Sequence, residues 1–199
     1  MTTTRGSKRD DIVGAAAQLI RAEGVHAASI SELIAASGSS AGTIYHHFAN
    51  KNEIVMAVAH AAVVEPLTAV VERHAGGGMT ASDLLREIVA NVIKGEVQSA
   101  LIVQLWAASS HEPQLKQIMR EQTNGLRAEM HQHLATWLRG EGVPDAEERA
   151  EALAMLTLGQ AMGLLAQRTL MPDLDVPRYT EEACRMLDAV AASYVADAG

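Results

Sequence analysis

The sequence predicts an all-α fold, and three observations carry that reading. The chain is rich in Ala and Leu and holds only five prolines in 199 residues, a composition that favours helix. Apolar residues recur at three- and four-residue spacing through most of the chain, with no competing period of two. Capping and turn residues cut this pattern into separate pieces, about nine helices in all. Hydrophobic residues make up 48% of the chain and aromatic ones 3%, so the core has to be aliphatic.

The first helix is expected over Lys8–Glu23, where Ile12, Ala15, Ala16, Leu19 and Ile20 share one face. Asp10 and Asp11 lie in its first turn, where carboxylates suit the positive end of the helix dipole. Gly24 is expected to end it as a left-handed cap. Ser29-Ile30-Ser31-Glu32 has the capping-box form and opens a short helix that Gly38 stops. Ser40 caps a third helix, Ala41–Phe48, which buries Ile44 and Phe48 one turn apart. Asn50 caps a fourth, expected from Lys51 to about His74.

The run Ala75–Gly78 holds three glycines and reads as the most flexible point of the chain. A fifth helix begins at Ser82 or Asp83 and runs to about Val97. Further helices follow over Ala100–Ser109, Pro113–Gly140, Ala146–Met171 and Pro177–Ala196, with Gly- and Pro-containing turns between them. Gly95 and Gly125 fall inside helical stretches, where they permit bends or weaken the helix.

Composition restricts the function classes. The single cysteine, Cys184, permits no intrachain disulfide and suits a reducing cytoplasm. The N-terminal MTTTRGSKRDD lacks the apolar run of a signal peptide, and Ile54–Val64 is too short and too interrupted to span a bilayer. A cytoplasmic protein with no membrane partner is expected. Phosphate loops, nucleophile elbows and HExxH are absent, so an enzyme has little support. His131 and His133 are two residues apart and point to different helix faces, so no metal site and no cofactor are expected. Cys184 reads as inert packing.

The net charge of −8 is uneven. Residues 1–51 carry +1, 52–140 carry −2 and 141–199 carry −7. Acid is thus concentrated away from the three short front helices, and phosphate binding needs only a local basic patch. Two of those helices, joined by a tight Gly-containing turn, have the helix-turn-helix arrangement, in which the second enters the DNA major groove. Helical bundles use such turns as well.

The stretch GVHAASISELIAASGSSAGTIYHHFANKNEIV, Gly24–Val55, resembles the DNA-binding signature of the tetracycline-repressor family of bacterial regulators. The likeness extends over roughly residues 8–55. It implies a helix-turn-helix DNA-binding domain over 1–51 and a ligand-binding and dimerisation domain over 52–199. It further implies that a homodimer binds a palindromic double-stranded operator and is released by a small, hydrophobic effector. Its DNA-facing residues are then Ser29, Ser40, Ala41, Gly42, Thr43, Tyr45, His46 and Lys51, with Arg5, Lys8 and Arg9 as a basic arm. Many relatives carry Lys or Arg where Ala41 stands, which leaves base preference open.

By the same resemblance, Gln104, Trp106, Met119, Met130, Met155, Thr157, Leu158 and Met162 are expected to line the effector pocket. Gly159, Gly163 and Ala166, with the stripe Ala183, Leu187, Val190 and Tyr194, are expected at the dimer interface. The competing readings are a regulator or activator that needs no ligand, and a helical carrier or enzyme with purely structural front helices.

Overall fold

The structure is a computed structural model. It describes residues 7–25, 29–64, 78–94 and 98–196, with the backbone alone at 63 and 64. Nine α-helices run through the described residues: α1 (Lys8–Glu23), α2 (Ile30–Ser37), α3 (Ala41–His47), α4 (Lys51–Ala59), α5 (Ala81–Lys94), α6 (Ser99–Ser109), α7 (Pro113–Gly140), α8 (Ala146–Leu170) and α9 (Val176–Ala196). No strand occurs among them. α4 passes directly into a π-helical turn, His60–Val64, so the fourth helix is not one regular α-helix. Its expected continuation to His74 lies outside the described residues, as do Arg5, Ala75–Gly77, Gly95 and Val97.

The chain divides into two compact units. The first comprises Met1–Val64 and Ala100–Arg120, the second Glu65–Ser99 and Glu121–Gly199. In the first, Ile12, Ala16 and Ile20 of α1 share a core with Leu33, Ile44, Phe48, Ile54, Val55 and Val58. Leu101 and Leu105 of α6 and Leu115 and Met119 at the start of α7 complete it. A short helix such as α3 is marginal alone. It persists because Ile44 and Phe48, 0% and 3% exposed, anchor its inner face.

Local capping sets the helix starts. Ser29 and Glu32 form a reciprocal box: Ser29 N–H donates to Glu32 Oε2 at 2.7 Å, and Glu32 N–H donates to Ser29 Oγ at 3.2 Å. These bonds hold the Glu32 carboxyl below its ordinary range. Ser40 Oγ accepts from Thr43 N–H, and Asn50 Oδ1 accepts from Glu53 N–H. A second reciprocal box, not among the expected caps, joins Ser7 to Asp10. Gly38 is left-handed at φ 60°, ψ 19°.

Gly24 departs from the expected left-handed cap. Its φ is 89° and its ψ 164°, an extended conformation of positive φ that only glycine adopts readily. Its N–H donates to the Ile20 carbonyl at 2.8 Å, and the chain then runs on to bury Val25. A left-handed cap would turn Val25 elsewhere.

In the second unit α5, α8 and α9 pack pairwise. Leu84, Leu85, Ile88, Val89, Leu153, Leu164 and Leu187 are buried there. Ser82 of α5 donates to the Asp188 carboxylate and faces the Cys184 carbonyl at 3.2 Å, which ties α5 to α9. Arg168 of α8 donates to the Val92 carbonyl in the last turn of α5, a carbonyl that helix geometry leaves without a partner. Arg127–Glu151 and Arg139–Glu147 link α7 to α8 at 3.3 and 2.8 Å; both are exposed and contribute little.

Gly78 and Gly125 predict opposite responses to alanine. A Cβ on Gly78 would lie 2.6 Å from the Trp137 backbone nitrogen and 2.7 Å from its Cα. Gly78 is therefore a residue of close approach rather than a loosening element. Gly125 sits inside α7 with nothing within 4 Å of a Cβ. Gly125→Ala is expected to stabilise by about 0.5–1 kcal/mol. Gly78→Ala is expected to destabilise by about 1–3 kcal/mol through overpacking. Urea unfolding of the two variants checks both signs.

Candidate nucleic-acid interface

The site is built on α3 and its two flanking turns. Burial alternates with the helical period. Ile44 and Phe48 face the core, while Ala41, Gly42, Tyr45 and His46 are exposed, Tyr45 by 56%. A seven-residue helix is roughly 10 Å long, a length that the B-DNA major groove, about 12 Å wide, admits. Its outer face opens with small side chains and closes with a phenol and imidazoles. Nothing but Ser40 Oγ, at 3.8 Å, would meet a Cβ on Gly42, so the backbone there is open to close approach.

Ser40 and Thr43 are tied together. Their hydroxyls lie 2.9 Å apart while Ser40 caps the helix, so both act as pre-positioned groups at the front of α3. Ser29 is half-buried and its hydroxyl meets that of Ser31 at 2.9 Å. Lys51 stands at the first position of α4 and is half-buried; its charge also acts on Glu32 of α2. The His46 and His47 rings meet edge to face, 5.1 Å apart.

The place of Lys8 and Arg9 in the first turn of α1, as the expected helix bounds imply, excludes them from a free arm, and Lys8 pairs with Asp11 at 3.6 Å. One feature that escaped sequence reasoning is Ser39, in the turn before α3. It is 5% exposed and its Oγ has no hydrogen-bond partner among the described residues. An unsatisfied buried hydroxyl costs about 1–3 kcal/mol, so Ser39→Ala is expected to stabilise the protein by about 1 kcal/mol. A raised midpoint in thermal unfolding, with DNA affinity unchanged, is the expected result.

The remaining sequence-predicted residues fall in both units. Gln104, Trp106 and Met119 belong to the first, where Gln104 Nε2 donates to the Arg21 carbonyl and Met119 is core. Met130, Met155, Thr157, Leu158 and Met162 belong to the second. Met130 is buried, Leu158 and Met162 are half-buried, and Met155 is 56% exposed. Thr157 is fully buried and donates to the Leu153 carbonyl of its own helix.

On the expected interface stripe, Leu187 is 0% and Ala183 6% exposed within one chain. α5 and α8 of the same chain already pack on their helix, so these two side chains present almost no surface to a partner. Val190 and Tyr194 are half-buried, and Arg149 stacks over the Tyr194 ring at 4.8 Å. Gly163 has an internal reason to be small: a Cβ there would lie 3.1 Å from the Tyr179 hydroxyl, which donates to the Gln160 carbonyl. Gly159 is exposed and Ala166 half-buried.

Among the described residues no group of three or more His, Cys, Asp or Glu side chains is placed to hold a metal ion. No single helix among them is long and apolar enough to cross a membrane.

Residues 12–58 match the family model of bacterial regulatory proteins of the tetR family. Residues 79–196 match that of the BetI-type transcriptional repressor C-terminal region. The chain therefore belongs to the tetR family of transcriptional regulators, with a C-terminal region of BetI type, and is a DNA-binding protein rather than an enzyme. It is similar to the HTH-type transcriptional regulator BetI of Escherichia coli K12, at 28% identity over 157 residues, 76% of this chain and 79% of that one. BetI of Klebsiella pneumoniae strain 342 is 30% identical over 118 residues, 57% of this chain and 60% of its own.

Solved structures share the fold. GusR of Salmonella enterica superposes with a TM-score of 0.71 at 22% identity, covering 94% of this chain and 97% of its own. A transcriptional regulator of Saccharomonospora viridis, in complex with choline, gives 0.72 at 20% identity and covers 90% and 95%.

Proposed function

We propose that the protein is a homodimeric, ligand-responsive repressor that reads a palindromic operator with α3. The observation that carries this reading is the two-faced α3, anchored by Ile44 and Phe48 and presenting Ala41, Gly42, Tyr45 and His46 outward. Ser29, Ser40, Thr43, Tyr45 and Lys51 bind phosphate oxygens, which fixes register. Ala41, Gly42 and His46 meet base edges, where Ala41 suits a thymine methyl. In this reading residues 1–51 form the DNA-binding domain and 52–199 the ligand-binding and dimerisation domain, and the protein works in the cytoplasm.

Dimerisation has a geometric purpose. Two copies of α3 have to stand about 34–36 Å apart to meet half-sites one helical turn apart. We assign the interface to the outer surfaces of α8 and α9: Gly159, Ala166, Val190 and Tyr194, joined by the exposed Met155, Leu156 and Met186. Exposed apolar side chains concentrated on two helices favour a partner surface.

The effector is a small molecule bound by residues 52–199, drawing on Met130, Leu158, Met162 and their neighbours. The BetI-type C-terminal match and the choline complex of the Saccharomonospora viridis regulator make choline the first ligand to test, ahead of a purely hydrophobic one. Effector binding favours a state in which α4 is displaced and the half-site spacing is lost, so effector and DNA are coupled through their affinities for two states.

The experiment is a mobility-shift titration on a duplex recovered by selection from a random library, without and with choline at millimolar concentration. Release of the duplex by choline supports the whole reading. Binding that choline and a panel of apolar ligands leave unchanged would show a ligand-independent regulator. Gly159→Arg is expected to yield monomers in sedimentation and to abolish tight binding.

A further inference from the structure

We propose that Arg9 of α1 is a phosphate clamp for the C-terminal end of α3 and that Phe48 is its positioning residue. The inference rests on the reading of α3 as the DNA reader. It starts from a deficit: α3 contains no Lys or Arg, and its ionisable cations are His46 and His47. Affinity for DNA comes largely from neutralising phosphates, so a reader without fixed positive charge has to borrow it from a neighbouring element.

Arg9 supplies that charge at a defined place. Its guanidinium carbon lies 5.1 Å from the centroid of the Phe48 ring. Phe48 ends α3 with an extended backbone, φ −141° and ψ 123°, and is only 3% exposed. A ring held in the core is a fixed platform, and guanidinium stacks flat on aromatic faces in a way that an ammonium does not. The His47 ring is 6.5 Å from Phe48 and the His46 ring 5.1 Å from His47. Arg9 thus belongs to the same end of α3 as the two histidines, although it comes from another helix.

Arg9 is exposed, and among the described residues no hydrogen bond or ion pair occupies its N–H donors, although its charge acts weakly on the adjacent Asp10. Its acidic neighbours have nearer partners: Asp10 accepts from Ser7, which together with the weaker pull of Arg9 holds its carboxyl below the ordinary range, and Asp11 pairs with Lys8. Compare Arg127 and Arg139, each held by a glutamate of α8. An exposed guanidinium that rests over an aromatic ring and carries no hydrogen bond can offer its N–H donors to a phosphate, bidentately where the geometry allows. Ordering it before DNA arrives reduces the side-chain entropy lost on binding.

The test uses the full-length protein, a selected duplex and an unrelated duplex of equal length, with affinity measured across a salt series. Arg9→Ala is expected to weaken binding about tenfold on both duplexes and to lower the salt slope by about one. Phe48→Leu keeps an apolar side chain in the core but removes the ring; it is expected to weaken binding to a similar degree. The Arg9→Ala/Phe48→Leu double variant is expected to be no weaker than the worse single one. Arg9→Lys is expected to keep the slope and lose part of the affinity.

An unchanged salt slope in Arg9→Ala overturns the clamp, whatever Phe48→Leu does. A folded Phe48→Leu protein with wild-type affinity, or strictly additive losses, overturns the positioning role. If Phe48→Leu does not fold, upfield ring-current shifts of the Arg9 side-chain protons in the free protein decide the stacking: their absence sinks it. Wild-type protein that selects no duplex defeats the DNA-reading assignment itself, an outcome distinct from failure of Arg9 alone.

Discussion

Ile44→Ala is expected to destabilise the first unit by about 3 kcal/mol and to abolish tight DNA binding without removing any atom that meets DNA. Ile44 is 0% exposed and lies in the core shared by α1, α2, α4, α6 and α7. A truncated side chain there leaves a cavity that rigid helices fill only in part. The seven-residue α3 has too few backbone hydrogen bonds to persist without that anchor. Urea unfolding read by circular dichroism measures the first effect, and a mobility shift the second. Retained affinity in a destabilised Ile44→Ala protein would mean that α3 does not depend on the core for its shape.

The second large effect separates two kinds of phosphate contact. Lys51→Ala is expected to weaken DNA binding about tenfold and to lower the salt slope by about one, because a cation and its displaced counterions are lost. Tyr45→Ala is expected to weaken binding by about 1 kcal/mol or more while leaving the slope unchanged, because a neutral phenol is lost. Tyr45 is 56% exposed and contributes little to the core, so its removal is expected to leave stability near that of the wild type. Lys51 also acts on Glu32, so its removal is expected to alter the capping of α2 slightly.

Much of the DNA-binding unit was legible because its determinants are local. Ser29, Ser40 and Asn50 act on backbone groups three residues away, and a capping pattern of that range can be read in order along the chain. The inward places of Ile44 and Phe48 followed from helical period alone. Gly24 shows the limit of that reasoning. A glycine after a helix signals positive φ, but whether ψ is left-handed or extended depends on where Val25 has to go, and the core decides that.

Longer-range facts were out of reach. Nothing in the spacing of Arg9 and Phe48 announces that α1 and the end of α3 meet, so Arg9 read as part of an arm. An apolar stripe on a helix states that it will be covered, not by what. Ala183 and Leu187 are covered by helices of their own chain, whereas Gly159 and Met155 remain outside. The effector-pocket residues were ambiguous for the same reason: methionines at helical spacing describe core and pocket lining equally, and the expected residues fall in both units.

The central claim is that α3 of each subunit lies in the major groove of a twofold operator. Affinity cleavage tests it most directly. A cysteine placed by His46→Cys, on the exposed end of α3, carries an iron chelate, while Cys184 is buried and resists labelling. On the selected duplex the account predicts strand cleavage centred in two major-groove segments related by a dyad and about 10–10.5 bp, or a multiple of that, apart. Uniform cleavage along the duplex, or one cleaved segment without a symmetry mate, would contradict it.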